Sequence, residues 1–239
     1  MFTFFNHNRY LADLLGGFRD IHCHLLPAVD DGCPDNNLSL RLLDRLHSLG
    51  VEALYMTPHI ISGAYDDRTA ADMRQRFAQL DYQGPVDVRL AAEYFVDEQF
   101  LGKLNADPLT MNDRHILVEF SLNGYSLNSF DILFEAEVAD FQIILAHPER
   151  YSFLRFDDHS KSLDAIKHYA LQLNLLSVSG FYGNSVRKMA MRMLDKKLYT
   201  FIGTDIHSDA YVDALEQCKV SNKTFDALYA LAQNNRALF

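Results

Sequence analysis

The chain has 239 residues, which suits one domain or a large α/β barrel. It is 49% apolar, with 17 Phe and 12 Tyr, enough to fill a sizeable core. Its formal charge is −10 and no run of Lys or Arg occurs, which argues against a nucleic-acid binder.

In chain order, residues 1–17 lack the basic start and uninterrupted apolar stretch of a signal peptide and are expected to form an N-terminal arm packed on the main body. A membrane-touching or partner-binding arm is the alternative. From Phe18 onward, short β-rich runs alternate with amphipathic stretches. The predicted strands are 18–22, 51–57, 86–93, 115–120, 141–147, 171–178 and 198–204. The clearest predicted helix, 38–49, carries Leu38, Leu42, Leu46 and Leu49 on one stripe and has Gly50 as its C-terminal stop. The others are 70–82, 129–140, 160–170, 184–197, 209–218 and 222–233. Strands alternating with helices indicate parallel βα units, and no linker or repeat divides residues 18–239. Cys23, Cys33 and Cys218 form no CxxC pair, and their odd number fits a reducing compartment. No apolar stretch approaches the roughly 18 residues of a membrane span. A cytoplasmic protein without stable membrane insertion is therefore expected.

Polar residues gather at the predicted strand ends. His22 and His24 follow one strand, on which alternation puts both imidazoles on one side and Cys23 on the other. Asp31 lies in the loop beyond, where Asp30-Asp31-Gly32 also reads as an ordinary turn. His59 follows Thr57-Pro58, and Glu93 and Glu119 each end strongly apolar runs. An unpartnered carboxylate there would carry a large desolvation cost, which bound metal or a buried ion pair would relieve. His147 precedes Pro148-Glu149-Arg150, and Asp205 and His207 alternate after Gly203-Thr204. Six of the seven predicted strands lead into such a residue; the strand over 171–178 does not. In a parallel barrel, catalytic groups sit at the C-terminal strand ends. Nine convergent imidazoles and carboxylates exceed one ion's needs and suit a cluster of two or three. That chemistry points to a multimetal hydrolase.

The order HxH, DDG, TPH, AE, EF, AHPER, TDxH resembles the PHP (polymerase and histidinol phosphatase) superfamily. More narrowly, DIHCHLLPAVDDG, YMTPHI, LVEFSLN, LAHPERY and GTDIHS resemble its bacterial metal-dependent protein-tyrosine phosphatases of capsular and exopolysaccharide clusters. The resemblance runs from about residue 18 to the C-terminus. It implies a distorted (β/α)7, TIM-like barrel in one domain, with two to three divalent metal ions, most often manganese, Fe or Zn being alternatives. Carried over by motif, His22, His24, Glu93 and Asp205 would hold one ion. Glu93, Glu119 and His147 would hold a second, and Asp31, His59 and His207 a third. Arg150 would contact phosphate and stabilise the transition state. Two departures stand out: 21 residues precede His22, and no basic residue follows His207 before Lys219.

The reaction so implied is attack of a metal-bridging hydroxide on the phosphorus of phosphotyrosine. Arg150 and the metals would carry the equatorial oxygen charge. A phenol leaves with a pKa near 10, so His59 or His207 suffices as proton donor. No cysteine lies in a CxxxxxR phosphate loop, which opposes a thiol mechanism. The partner implied is a tyrosine-phosphorylated protein, such as the tail of a bacterial tyrosine kinase. Three alternatives remain open: a PHP phosphoesterase acting on histidinol phosphate or another small ester, an amidohydrolase-type enzyme, and a non-catalytic phosphotyrosine-binding module. The sequence says nothing of oligomeric state.

Overall fold

In the computed structural model, residues 8–154 and 161–239 are described, with 161 and 162 as backbone only. The chain is a single mixed α/β domain built on parallel strands. In order it forms β1 (Arg9–Tyr10), β2 (Arg19–Cys23), α1 (Asn36–Ser48), β3 (Ala53–Met56) and β4 (His59–Ile60). There follow α2 (Ala70–Gln79), β5 (Asp87–Leu90), β6 (Glu93–Phe95), α3 (Phe100–Ala106), β7 (His115–Glu119) and α4 (Ser129–Val138). The remainder is β8 (Gln142–Ala146), α5 (Lys161–Ile166), β9 (Ala170–Asn174), α6 (Asn184–Asp195), β10 (Phe201–Gly203), α7 (Asp209–Gln217), β11 (Lys219–Val220) and α8 (Asn222–Asn234).

Strands β2, β3 and β5 form one parallel sheet, and β4, β6, β7, β8, β9 and β10 a second. Two pairs of short strands carry the chain from the first sheet to the second. Thr57-Pro58 separates β3 from β4, because proline cannot donate to a ladder, and Ala91-Ala92 separates β5 from β6. A parallel bridge between Cys23 and Ile206 ties β2 to the segment leaving β10.

Helix formation follows the apolar stripes. Asp35 caps α1 by accepting from Leu38 N at 2.9 Å, and Leu42, Leu43 and Leu46 are buried. Burying each leucine contributes about 1.5–3 kcal/mol, which a helix this short needs in order to persist. Gly50, at φ +102°, closes the helix by donating to His47 O. Most of the core lies between helices and sheets. A smaller inner cluster, including Ile21, Tyr55, Leu117, Ile144 and Phe201, is stoppered by Leu238. The Tyr55 hydroxyl donates to Leu238 O at 2.8 Å and Arg89 Nη1 to Phe239 O at 2.7 Å. That plug blocks one end of the strands and leaves the other end for chemistry.

Residues 1–7 of the expected arm lie outside the described residues. Residues 9–10 pair with β11, and Leu11, Leu14 and Leu15 in the 3-10 turn behind them are buried. The expected strand 171–178 is shorter: it ends at Asn174, whose side chain accepts from Leu176 N and turns the chain into a 3-10 helix over Leu175–Val178. Helix α3 has no counterpart among the predicted elements, since only Phe100 and Leu104 mark its buried side.

Candidate metal centre

The β2 end is clamped before it delivers its histidines. Asp20 is buried, accepts from Thr204 N at 3.0 Å and His22 N at 3.2 Å, and takes the Thr204 hydroxyl. Burial pushes its carboxyl up to about 6 despite those bonds. Asp205 N then donates to His22 O and His24 N to Ile206 O, interlocking the two segments. Gly203 makes this possible: a Cβ there would lie 2.7 Å from His22 Cβ and 2.9 Å from Gln172 Nε2. Asp205 and His147 sit at φ +54° and +33°, a costly region for side-chain-bearing residues, and both point into the same centre.

All nine residues singled out in the sequence come together there. His22 Nε2 lies 3.1 Å from His24 Nε2, 3.2 Å from Glu93 Oε2 and 3.4 Å from Asp205 Oδ1. Glu93 is central: its oxygens also face His24 Nε2 at 3.3 Å, His59 Nδ1 at 3.1 Å and His147 Nε2 at 3.0 Å. Glu119 Oε1 is 3.1 Å from His59 Nδ1. Asp31 Oδ1 stands 3.5 Å from His59 Nε2 and 3.7 Å from His207 Nε2. Ligating atoms within 4.8 Å of one another define four overlapping groups. They are His24/Asp31/His59/His207, His22/His24/Glu93, His22/His147/Asp205 and His59/Glu93/Glu119.

Hydrogen bonds fix which face of His22, His24 and His207 looks inward. The His147 N–H can only donate, and it meets Gln172 at the atom assigned Oε1, 3.3 Å away. The same oxygen, 3.0 Å from His22 Nδ1, therefore accepts from that nitrogen, and His22 Nε2 is the atom turned toward the centre. Asp30 Oδ2 does likewise for His24 through Nδ1 at 2.8 Å, and the Asp205 carbonyl for His207 at 2.9 Å.

Electrostatics follow from crowding. Burial would depress His22, but Glu93 and Asp205 overcome it and raise the imidazole to about 9. Burial would raise Glu93, yet His22 and His59 hold it well below the usual carboxylate range. His207 goes the other way, down to about 4, through burial and the neighbouring His24. Burial would raise Asp30, but His24 brings it to about 2. The protons held among these groups are the ones a cation would displace. Among the described residues, His59 Nδ1 and Glu93 Oε2 are buried 3.1 Å apart yet neither is aligned for a hydrogen bond. Among the described residues no cysteine joins these groups, and Cys23 donates its thiol to Tyr55 O.

Arg150 enters from the HPER turn, with Nη1 2.8 Å from Asp205 Oδ2 and its guanidinium 4.4 Å from the Tyr182 ring centroid. Buried Glu149 anchors that turn by accepting from Asn174 N, Ser177 Oγ and the Tyr199 hydroxyl. Asn174 Nδ2 also donates to Asp205 Oδ2 at 2.6 Å. The strand that leads into no candidate ligand thus contributes Gln172 and Asn174 as orienting groups. Two amides inside the apolar run ALQLNLL were the available signal. Asp30 was visible only as half of a turn motif. After His207, Tyr211 stacks on that ring at 5.3 Å where no cation follows.

Residues 18–230 match the family Capsular polysaccharide synthesis, CpsB/CapC. The tyrosine-protein phosphatase YwqE of Bacillus subtilis (strain 168) is 28% identical over 200 residues, 79% of this chain and 77% of that one. The putative tyrosine-protein phosphatase CapC of Staphylococcus aureus is 27% identical over 197 residues, covering 79% and 76%. Among solved structures, those of YwqE from Bacillus subtilis and CpsB from Streptococcus pneumoniae, unique metal-dependent tyrosine phosphatases, include a chain that aligns at TM-score 0.71. That alignment has 24% identity, spans 92% of this chain and 93% of that one, and speaks for the fold. The match over 18–230 spans most of the sequence, and the chain belongs to the CpsB/CapC family.

Proposed function

We propose that the chain is a metal-dependent protein-tyrosine phosphatase of the cytoplasm. The observation that carries this is the convergence of nine imidazole and carboxylate side chains into overlapping four- and three-membered groups. Relatives named tyrosine-protein phosphatases support the choice of substrate. We further read the two sheets, bridged at Cys23 and Ile206, as a distorted (β/α)7 barrel over 18–239.

Two to three divalent ions fit the donor set. Mixed imidazole and carboxylate donors without thiolate suit Mn, with Fe or Zn also compatible. Buried Glu93 Oε2 and His59 Nδ1, lacking hydrogen-bond partners among the described residues, are atoms a cation would satisfy. His22, His24, Asp31, His59, Glu93, Glu119, His147, Asp205 and His207 would hold the ions. Such ions supply activation of water at neutral pH and Lewis-acid withdrawal of charge from phosphoryl oxygens.

The remaining roles belong to side chains. Arg150, pinned through one nitrogen on Asp205, keeps other N–H donors for the phosphoryl oxygens as charge develops. Its side chain is 21% exposed, so it can meet an incoming ester. His59 and His207, at 12% and 14%, are the least buried imidazoles of the centre. His207, lowered to about 4, is neutral at pH 7, so of the two only His59, raised against its burial by Glu93 and Glu119 and where no cation occupies it, can protonate a phenolate, whose own pKa near 10 makes the demand modest. The substrate class is a phosphotyrosyl protein, such as a bacterial tyrosine kinase tail.

The test is exhaustive chelation followed by Mn addition, with turnover of a phosphotyrosyl peptide compared with histidinol phosphate. Loss and recovery of activity, with preference for the peptide, is expected. Activity that survives metal removal, or a preference for histidinol phosphate, would overturn the reading.

A further inference from the structure

The ring of Phe181 is 43% exposed, and the metal centre does not account for it. The backbone holds it there deliberately in structural terms. Gly180 and Gly183 adopt φ +91° and +94°, Gly183 N donates to Gly180 O at 2.8 Å, and Phe181 N donates to Ser179 Oγ at 3.0 Å. Such a turn is built from glycines that tolerate left-handed backbone, and of the two residues between them it presents Phe181 outward.

What Phe181 touches gives it meaning. Its ring lies 5.1 Å from Tyr182 at 85° and 5.0 Å from Tyr211 at 55°. Tyr182 in turn lies against the Arg150 guanidinium at 4.4 Å, and its hydroxyl accepts from Asn174 Nδ2 at 3.0 Å. Tyr211 stacks on His207 at 5.3 Å and 28°. Three rings thus make one apolar wall running outward from both the arginine and the histidine of the centre. Another exposed ring, Phe134 on α4 at 63%, makes no such ring contact with a residue of the centre among the described residues.

We propose that the Phe181–Tyr182–Tyr211 wall binds the aryl ring of the substrate and sets the preference for aryl over alkyl phosphate esters, with Phe181 as its specificity residue. This rests on the phosphatase reading and adds the origin of its selectivity. With phosphate against Arg150, the ester group must leave the pocket past the wall that begins at Arg150 and His207. An aromatic ring there would cover the open face of Phe181 edge-on or offset, the arrangements aromatic pairs favour. An alkyl chain would gain far less.

The experiment is calorimetric binding of phenylphosphonate and methylphosphonate to the metal-loaded protein, beside steady-state hydrolysis of 4-nitrophenyl phosphate. Wild type should favour the phenyl compound about tenfold, equivalent to about 1.4 kcal/mol. Phe181→Ala should reduce that ratio to about two- to threefold, leave methylphosphonate affinity unchanged, and raise KM for 4-nitrophenyl phosphate with kcat nearly constant. Phe181→Leu should fall between, and Phe134→Ala should match wild type. A ratio untouched by Phe181→Ala, or equal loss of both phosphonates, overturns the wall. The two readings separate cleanly: phenyl preference without any ester hydrolysis would sink the phosphatase reading alone, and hydrolysis without phenyl preference would sink the wall alone.

Discussion

Asp30 holds His24 in place: its Oδ2 lies 2.8 Å from His24 Nδ1 and also accepts from the His59 backbone N–H at 3.1 Å. One buried oxygen therefore sets the tautomer of one imidazole and the backbone position of another. Both rings border Glu93. Partners of this kind typically contribute 10–100-fold in metal affinity or activity. Asp30→Ala should weaken metal binding by about that factor, read by competition with a chromophoric chelator. Unaltered metal affinity in a folded variant would remove Asp30 from the design of the centre.

Gly203 is the second sequence-distant support. Adding a methyl there forces His22 or Gln172 to move, since 2.7 Å and 2.9 Å are closer than real contacts allow. Gly203→Ala should destabilise by about 1–3 kcal/mol in denaturant unfolding, and activity should fall further than stability explains. Gly102, inside α3 with nothing within 4 Å of an added Cβ, provides the opposite sign. Gly102→Ala should stabilise by about 0.5–1 kcal/mol. A Gly203→Ala protein as stable and as active as wild type would show that the close approach is unnecessary.

These two residues illustrate what the sequence could and could not disclose. The HxH and TDxH alternations were readable because a strand's period of two is local. Strand ends at Glu119 and His147 were readable because apolar runs stop there. The partition of side chains was not readable. His147 reaches His22 and Asp205 as well as Glu93 and Glu119, and His59 also stands beside both carboxylates. Such reach depends on left-handed turns at His147 and Asp205, which no spacing rule encodes. The break of the third predicted strand at Ala91-Ala92 escaped detection, because uninterrupted apolar character hides a change of sheet. Gln172 and Asn174 do not stand out in the sequence because the apolar run continues past the strand end at Asn174.

Cys23 sits between two site histidines yet takes no part in the chemistry proposed. It is fully buried, donates to Tyr55 O at 3.3 Å, and burial pushes its thiol well above the ordinary range. Burial likewise raises Cys33, to about 12, and Cys218. Nucleophilic sulfur requires a thiolate, which none of these environments favours. Cys23→Ser should cost about 1 kcal/mol of stability and keep phosphatase activity within about threefold. Native protein treated with iodoacetamide should likewise stay active. Stoichiometric inactivation by alkylation at Cys23 would contradict the metal-based reading.

The ionisation of the centre predicts how metal and pH act together on stability. In the metal-free protein His22 stands at about 9, against an ordinary 6.5. The stability it contributes is complete below pH 6.5 and is lost as pH rises through 9. His207, lowered to about 4, runs the other way: its contribution is complete above 6.5 and is lost as pH falls through 4. Metal-free protein should therefore be most stable near pH 6.5 and soften on the alkaline side as His22 loses its proton. Bound cations occupy those lone pairs in place of protons, and their affinity grows as protons leave. The melting temperature of chelated protein should drop between pH 6.5 and 9 while that of Mn-loaded protein holds or rises. Parallel curves over that interval would mean that the imidazoles of the centre are not where the metal binds.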